Sequence, residues 1–455
     1  MAQITVGLDF GTHQSKVCVE TINGPEINYN FFKFRDSTGK EHYTLPSVIY
    51  VDDSERLSYG YKITRTQETK KKNKYISAFS DLASLLTNSP KSSDKEHETQ
   101  YILRYFKQAT FTSVKNGMEH SEAMLFTTWY LAYIVFELQE VYGIDFAIQM
   151  GVPTDGERYE NQKKLAVQLM LSAYNLVENI FNNDREAFLN STISELRAKT
   201  VILPYDEEEK FNYGILVFPE AYACLMPLVS SSKISSGMSL MIDIGGGTTD
   251  ISFFTIKNNK PQVYAFYSVD KGLNYLTDAE NLDSMRPDSN VHHQSEIHKS
   301  RISDLEKEIT DIHNSLIKRL VTELTRQTSK DPSELYRVLK VRPLIYSGGG
   351  STFNTLRLSY GGFKEIIHVS NKQWRTEAMR EAKVIQELGL CPVLSTAYGL
   401  SIHQKNDDIK CEPFRDIFAN LRNAEREERE ERMRRLNSEE RQSRFSYADD
   451  YSAWK

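Results

Sequence analysis

Two widely separated segments place a carboxylate, a glycine turn and a threonine hydroxyl in the same order. The first, residues 6–12, reads Val-Gly-Leu-Asp-Phe-Gly-Thr and carries Asp9, Gly11 and Thr12. The second, residues 241–250, reads Met-Ile-Asp-Ile-Gly-Gly-Gly-Thr-Thr-Asp. In each, a short apolar run typical of a buried strand ends in an aspartate that could hold a hydrated Mg²⁺. Because glycine lets backbone N–H groups approach a phosphate closely, each segment predicts a phosphate-binding β-hairpin turn.

The second segment supplies more candidate groups than the first. Asp243 stands near the end of its apolar run, and Asp250 opens the next one. The turn between them contains the residues predicted to contact a phosphate, which are Gly245, Gly246, Gly247, Thr248 and Thr249. Either segment alone could be an ordinary tight hairpin in which aspartate is a turn residue. Two of them, far apart in the chain, favour two lobes that clamp one nucleotide.

Other elements must bring these segments together, and the sequence predicts alternating strands and helices. Apolar runs predict strands at 4–10, 17–22, 44–51, 146–152, 213–217, 239–245, 250–256 and 341–347. Periodic apolar positions predict helices at 121–141, 155–175, 184–198, 300–328, 376–388, 392–402 and 420–444, and another that begins at Pro219. A third glycine-rich stretch, Gly348-Gly349-Gly350-Ser351, follows the last predicted strand. Interleaving of this kind predicts an α/β fold.

Composition limits the classes of protein and partner. The chain has 455 residues, which is enough for two or more domains with sizeable cores. A net charge of -6 gives no general case for binding nucleic acid or membrane, so neither is expected. The four cysteines lack metal-ligand spacing, and the N-terminus lacks signal-peptide character, so a reducing, cytoplasmic location is expected. The longest apolar stretch, 123–136, predicts a buried helix because it is too short to span a membrane.

Taken in this order, the segments resemble the actin and sugar-kinase ATPase superfamily, and most closely the nucleotide-binding domain of the seventy-kilodalton heat-shock chaperones. The likeness runs from residue 4 to about residue 404. Beyond the glycine-rich segments it includes Leu45-Pro46-Ser47-Val48, Glu55-Arg56-Leu57, Val152-Pro153, Pro219-Glu220-Ala221-Tyr222-Ala223 and Ala397-Tyr398-Gly399. The resemblance implies a two-lobed actin-like ATPase fold, in which duplicated ribonuclease-H-like domains enclose a nucleotide cleft.

The same resemblance implies how the chain is divided. The expected parts are lobe I at 1–230, with a small subdomain at about 40–120; lobe II at 231–392, with a helical subdomain at about 278–340; a return helix to lobe I within 393–411; and a charged helical tail at 412–455. The tail places Glu and Arg three or four residues apart. It is either an exposed helix held by these pairs or a docking helix for a partner protein.

The resemblance also assigns roles to individual residues. Asp9 and Asp243 would hold Mg²⁺ and its waters with Glu220 beside them, and Asp250 would help to orient the attacking water. A lysine of the run 70–72, assigned as Lys70 although either neighbour could serve, would reach the γ-phosphate. The residues implied to contact ATP or ADP are Gly11, Thr12, His13, Gly245, Gly246, Gly247, Thr248, Thr249, Gly348, Gly349, Gly350 and Ser351.

The function implied is an ATP-binding, chaperone-like switch that hydrolyses ATP slowly and acts on a partner protein, with the tail as one candidate contact. No peptide-binding domain is expected, because 405–410 is polar and few residues follow it. His13 stands where the family usually has a second threonine, and its imidazole would either hydrogen-bond a phosphate or fill space. The alternatives are a filament-forming actin-like protein, a small-molecule kinase, and a scaffold that binds nucleotide without hydrolysing it.

Overall fold

The structure, a computed structural model, is a mixed α/β protein whose described residues form two six-stranded sheets and two smaller ones. It describes residues 3–52, 55–61, 101–112, 118–230, 234, 239–257, 260–269, 271–272, 275, 299–328, 331–334, 344–352, 366–368, 378–409, 411–413 and 433–434. The predicted α/β class is therefore confirmed.

The elements follow one another along the chain as strands and helices. The strands are β1 (Gln3–Asp9), β2 (Gln14–Asn23), β3 (Glu26–Phe31), β4 (Phe34–Arg35), β5 (Glu41–His42), β6 (Leu45–Pro46), β7 (Ile49–Val51), β8 (Leu57–Tyr59), β9 (Tyr101–Leu103), β10 (Ala147–Val152), β11 (Ile215–Pro219), β12 (Ser239–Ile244), β13 (Thr249–Lys257), β14 (Lys260–Val269), β15 (Leu344–Ser347), β16 (Ile366–His368) and β17 (Cys411–Pro413). The α-helices are α1 (Phe106–Phe111), α2 (His120–Tyr142), α3 (Tyr159–Tyr174), α4 (Arg185–Leu189), α5 (Ile193–Lys199), α6 (Glu207–Asn212), α7 (Glu220–Ser230), α8 (Lys299–Thr328), α9 (Ala382–Glu387) and α10 (Cys391–Ser401). A π-helical segment, Asn175–Ile180, continues α3, and a 3₁₀ turn spans Gly349–Thr352.

The first sheet has the strand order β11-β10-β1-β2-β3, and the short β6 also pairs with β2. Strand β1 runs antiparallel to β2 and parallel to β10, and β10 runs parallel to β11. Strands β1 and β10 are buried along most of their length, which explains why both read as nearly continuous apolar runs.

The second sheet repeats this arrangement with the order β16-β15-β12-β13-β14-β17. Strand β12 is antiparallel to β13 and parallel to β15, β13 is antiparallel to β14, and β15 is parallel to β16. Strands β14, β13, β12, β15 and β16 therefore match β3, β2, β1, β10 and β11 in order and direction. Strand β17 is an addition at the edge, parallel to β14.

The two faces of the second sheet pack on different parts of the molecule. Leu240, Ile242 and Ile244 of β12 share a hydrophobic cluster with the apolar side of α8. Met241, which points to the opposite face, belongs to the large cluster that fills the first sheet and its helices. One apolar core therefore runs from the first sheet to the underside of the second.

Helices α7 and α10 pack against each other and connect the sheets. Helix α10 lies on β1 and β2, and α7 contacts β14. At Gly399 the helices are so close that a Cβ atom would lie 1.7 Å from the Ala223 carbonyl oxygen. At Gly7 of β1, a Cβ atom would lie 2.2 Å from the Ser401 backbone nitrogen. Only glycine allows these backbones to approach so closely.

The chain that follows α10 is fastened to the edge of the first sheet by Asp407, which is 4% exposed. Its carboxylate accepts hydrogen bonds from Lys210 Nζ at 3.0 Å and from the Val217 amide at 3.1 Å, and Lys163 Nζ lies 3.1 Å away. Tyr159 donates to the Val217 carbonyl. These contacts occupy backbone groups at the edge strand β11 that would otherwise be open to pairing.

Several predicted elements have different ends from those expected. The helix predicted at 121–141 is α2, and it stops at Gly143, where φ is 75°. The helix predicted at 184–198 is two helices, because Thr192 forms a capping box with Glu195 and so begins α5. The predicted strand 44–51 is divided between β6 and β7, because the Ser47 amide donates to the His13 carbonyl instead of to a strand.

Two other predicted helices are only partly tested. Within the described part of 376–388, the α-helix is confined to α9. The tail helix at 420–444 lies almost wholly outside the described residues. Among the helices that the structure describes, none combines the length and apolarity needed to cross a bilayer.

Candidate functional site

The turn of the β1–β2 hairpin lies directly against the turn of the β12–β13 hairpin. A Cβ atom on Gly246 would lie 1.8 Å from Cδ2 of His13, and one on Gly247 would lie 3.4 Å from Cγ2 of Thr12. The two segments predicted to bind phosphate are therefore brought face to face, although they are far apart in the chain.

Equivalent strand positions deliver the two aspartates to this meeting point. Asp9 is the last residue of β1 and pairs across the hairpin with Lys16. Asp243 stands one residue before the end of β12 and pairs across its hairpin with Asp250. Because cross-strand partners lie on the same face of a sheet, each hairpin presents a pair of charged side chains.

In the first hairpin this pair is an ion pair. Lys16 Nζ donates to Asp9 Oδ2 at 2.9 Å, and the side chains are only 14% and 8% exposed. A Cβ atom on Gly11 would lie 3.1 Å from Lys16 Nζ, which places the ammonium beside the first turn. Lys16 was not among the predicted site residues. Lys16 lies seven residues after Asp9, so the register of the predicted hairpin could have identified it as the cross-strand partner of Asp9.

A second lysine reaches the same region from α1. Lys107 is buried, and its Nζ donates to Glu220 Oε1 at 2.5 Å. Glu220 begins α7 immediately after β11, and Gly151 of the adjacent β10 leaves room for it, since a Cβ there would lie 3.1 Å from Glu220 Cγ. Thr154 stabilises the start of α7, because its hydroxyl accepts a hydrogen bond from the Ala221 amide.

The predicted phosphate lysine, Lys70, lies outside the described residues. Lys107 is a lysine that the structure does place at the site. It was not predicted, because its partner Glu220 is 113 residues away in the chain and α1 is too short to show a clear period.

Four carboxylates come close enough to affect one another, and they are called the acidic cluster: Asp9, Glu220, Asp243 and Asp250. Burial, together with the charges of Asp250, Glu220 and Asp9, raises the pKa of Asp243 to about 7. Burial also raises the pKa of Asp250 to about 6, against hydrogen bonds from Ser268 and Thr248. The cluster is therefore short of positive charge.

Two lysines, Lys16 and Lys107, reach the cluster, and each is paired with one carboxylate. When all four carboxylates are ionised, the two ammonium groups of these lysines leave two negative charges uncompensated, which fits one divalent cation. Among the described residues, no three His, Cys, Asp or Glu side chains are arranged to ligate a metal directly. Mg²⁺ suits such a site, since it retains several waters and needs few protein ligands.

The second turn is supported from behind by residues 271–272. A Cβ atom on Gly272 would lie 2.6 Å from the Gly245 carbonyl oxygen and 2.7 Å from that of Gly246. Thr249 is buried, and its hydroxyl donates to the Lys271 carbonyl at 2.8 Å. Thr249 was predicted to contact the cofactor, and in the structure its side chain fixes the base of the turn. Thr248 is part-buried and donates to Asp250 at 3.3 Å.

The third glycine-rich segment lies beside Asp243. Gly348 has a φ of 83°, and a Cβ atom there would lie 2.2 Å from Asp243 Oδ1. A Cβ atom on Gly350 would lie 2.1 Å from the Ile244 side chain. The hydroxyl of Ser351 donates to the Gly348 carbonyl at 2.8 Å, so it stabilises the segment's own turn. Gly349 opens the 3₁₀ turn that follows.

No protein-family model matches this sequence, and no curated protein is significantly similar to it.

Proposed function

We propose that the chain is an ATP-binding protein that hydrolyses ATP slowly with Mg²⁺ and acts as a chaperone-like molecular switch on a partner protein. The observation that carries this proposal is the contact between two glycine turns above the acidic cluster. Glycine turns suit phosphate, while unbalanced carboxylates suit a metal. Both occur at one place, which is what a metal–nucleotide complex requires.

In this proposal the fold is a two-lobed, actin-like ATPase fold built from duplicated ribonuclease-H-like domains. It is supported by the identical order and direction of five strands in each sheet. It is also supported by α7 and α10, which pack together and contact both sheets. In this description the nucleotide lies between the two hairpin turns, with Gly349 and Gly350 beside the adenosine.

Each part of the site has a role in holding ATP. Backbone N–H groups of the two turns would bind phosphate oxygens, and Lys16 and Lys107 would offset their charge. Asp9 and Asp243 would hold the metal through its waters. A bound Mg²⁺ would neutralise phosphate charge and so favour attack by water. Among the described residues, Lys107 would fill the role predicted for Lys70.

Asp250 is the carboxylate best suited to handle the proton of the attacking water. Its raised pKa, about 6, leaves it ionised at neutral pH yet more basic than an ordinary aspartate. Hydrogen bonds from Thr248 and Ser268 fix its orientation. Loss of the terminal phosphate would then remove contacts that hold the two turns together, and this difference biases the conformation that a partner reads.

Calorimetric titration with ATP, with and without Mg²⁺, tests the proposal. We expect Asp9→Ala and Asp243→Ala each to abolish Mg²⁺-dependent binding and phosphate release. Glu26→Ala is the matched control, because Glu26 is an exposed carboxylate at the opposite end of the first sheet from Asp9. Binding that is unchanged in both aspartate variants would refute the proposal. Binding of ATP by the wild type without phosphate release would leave a non-hydrolysing scaffold.

A further inference from the structure

The side chain of His13 reaches from the first hairpin to the second. Its Cδ2, Cγ and Nε2 atoms lie 1.8, 2.7 and 2.9 Å from the point where a Cβ atom on Gly246 would stand. The imidazole thus fills the space that the missing side chain of Gly246 leaves open. The contact is specific to these two residues, because only a glycine at 246 can accept a ring at this distance.

Ser47 and Tyr105 hold His13 in this position. The His13 carbonyl accepts the Ser47 amide at 2.7 Å, which fixes the backbone at the end of the turn. On its other side the imidazole meets Tyr105 edge to face, with 5.7 Å between ring centroids. Tyr105 immediately precedes α1, so the same short stretch of chain supports the ring and positions Lys107.

We infer that His13 determines whether the two turns close more readily on a nucleoside diphosphate or on a nucleoside triphosphate. This inference rests on the proposed function. The turns touch through the imidazole, so they can close on a nucleoside diphosphate without displacing it. A terminal phosphate that contacts both turns needs the space occupied by the ring, which must rotate away from Gly246. His13 therefore lowers the affinity for a nucleoside triphosphate relative to a diphosphate.

Affinity ratios test this inference. The affinities for ADP and for a non-hydrolysable ATP analogue would be measured by calorimetry with Mg²⁺ in the wild type and in His13→Ser. We expect the ratio to shift about two- to tenfold in favour of the triphosphate, the range set by relieving a side chain that must leave its rotamer. His13→Phe retains a ring and is expected to keep the wild-type ratio. His403→Ser is the control, since this exposed imidazole lies near Gln3, at the far end of β1.

The outcomes separate this inference from the proposed function. A wild type that binds neither nucleotide overturns both. A wild type that binds both nucleotides, with an unchanged ratio in His13→Ser, overturns only the role of His13. A ratio that shifts toward the diphosphate also overturns it, because the imidazole would then be a ligand of the terminal phosphate.

A double-mutant cycle tests the contact itself without any nucleotide. Gly246→Ala places a Cβ atom against the imidazole and is expected to lower the melting temperature of the wild type. In the His13→Ser background the same change is expected to have much less effect, because the ring is gone. Equal losses in both backgrounds would show that Gly246 is needed for another reason and would overturn the contact on which the inference rests.

Discussion

The two hairpins at the site have the same length and different chemistry. Eight residues run from Asp9 to Lys16 in the first and from Asp243 to Asp250 in the second. The first turn carries the side chains of Thr12 and His13, whereas the second has three glycines, and the side chains of one fit the bare backbone of the other. The difference shows how a repeated hairpin can face its copy without collision.

Both turns are supported from behind in a similar way. In the first, Ser15 Oγ lies 3.2 Å from Ser47 Oγ, and Ser47 also donates to the Gly11 carbonyl. In the second, the equivalent residue is Thr249, which donates to the Lys271 carbonyl. A hydroxyl one residue before the final charged position therefore anchors each hairpin, whatever stands in the turn.

The charged positions are where the hairpins diverge. Asp9 faces Lys16 and is neutralised within its own hairpin, whereas Asp243 faces Asp250 and is not. The charges of the first hairpin therefore balance. The second hairpin has an excess of negative charge, and a cation from outside the chain is the simplest way to neutralise it. Four tests can contradict or refine this contrast between the hairpins.

Replacing Lys16 should have the largest effect on stability. Lys16→Met leaves the buried Asp9 carboxylate without its cation, and we expect the free energy of unfolding to fall by about 3 kcal/mol. Urea unfolding at pH 8 without nucleotide measures it. The double variant Lys16→Met with Asp9→Asn removes both charges and should recover most of the loss. If Lys16→Met is no less stable than the double variant, then Lys16 does not neutralise Asp9 within the first hairpin.

The equivalent glycines Gly11 and Gly245 should respond unequally to a methyl group. A Cβ atom on Gly11 would lie 2.3 Å from the Gln14 carbonyl oxygen, whereas on Gly245 the nearest atom, the Thr248 carbonyl oxygen, is 3.2 Å away. We expect Gly11→Ala to cost about 2 kcal/mol and Gly245→Ala clearly less, since a small shift relieves the second contact. Thermal unfolding of both variants without nucleotide tests the order. The reverse order would mean that the turns are not built as described.

The sequence was sufficient for the hairpins and insufficient for the lysines, for physical reasons. Asp, glycine and alternating apolar residues specify a hairpin locally, so β1, β2, β12 and β13 could be predicted within a residue or a few of their ends. Lys16 could have been found by assuming the hairpin register. Lys107 could not, because its position depends on the packing of α1 against α2, and its partner Glu220 is 113 residues away in the chain. Strands β3 and β14 are more exposed than β1 and β12 and do not stand out as apolar runs.

Replacing Asp250 should raise the free energy of unfolding, whereas replacing Lys16 at the equivalent position should lower it. Asp250→Asn keeps an acceptor for Thr248 and removes one of the uncompensated charges, so we expect the nucleotide-free protein to gain about 1 kcal/mol at pH 8. Phosphate release should fall in the same variant, because Asp250 is proposed to take the proton of the attacking water. Urea unfolding and a phosphate assay measure the two effects. A variant that is both less stable and fully active would remove the contrast between the hairpins.

The smallest effect is a difference in pH dependence. Asp243 and Asp250 have folded-state pKa values raised to about 7 and about 6 from an ordinary 3.8, so the folded chain holds more protons than the unfolded chain across this window. The free energy of unfolding should therefore fall as pH rises from 4 to 7, by at most about 1.4 kcal/mol per pH unit for each group. Burial also raises the pKa of Glu20, which adds a slope of the same sign. Melting temperatures in EDTA at several pH values, compared between wild type and Asp250→Asn, cancel that common part. We expect the variant to have the flatter profile of melting temperature against pH, because it loses one of the two titrating protons and lowers the repulsion that raises the pKa of Asp243. Parallel profiles would mean that the second hairpin is neutralised by some other group.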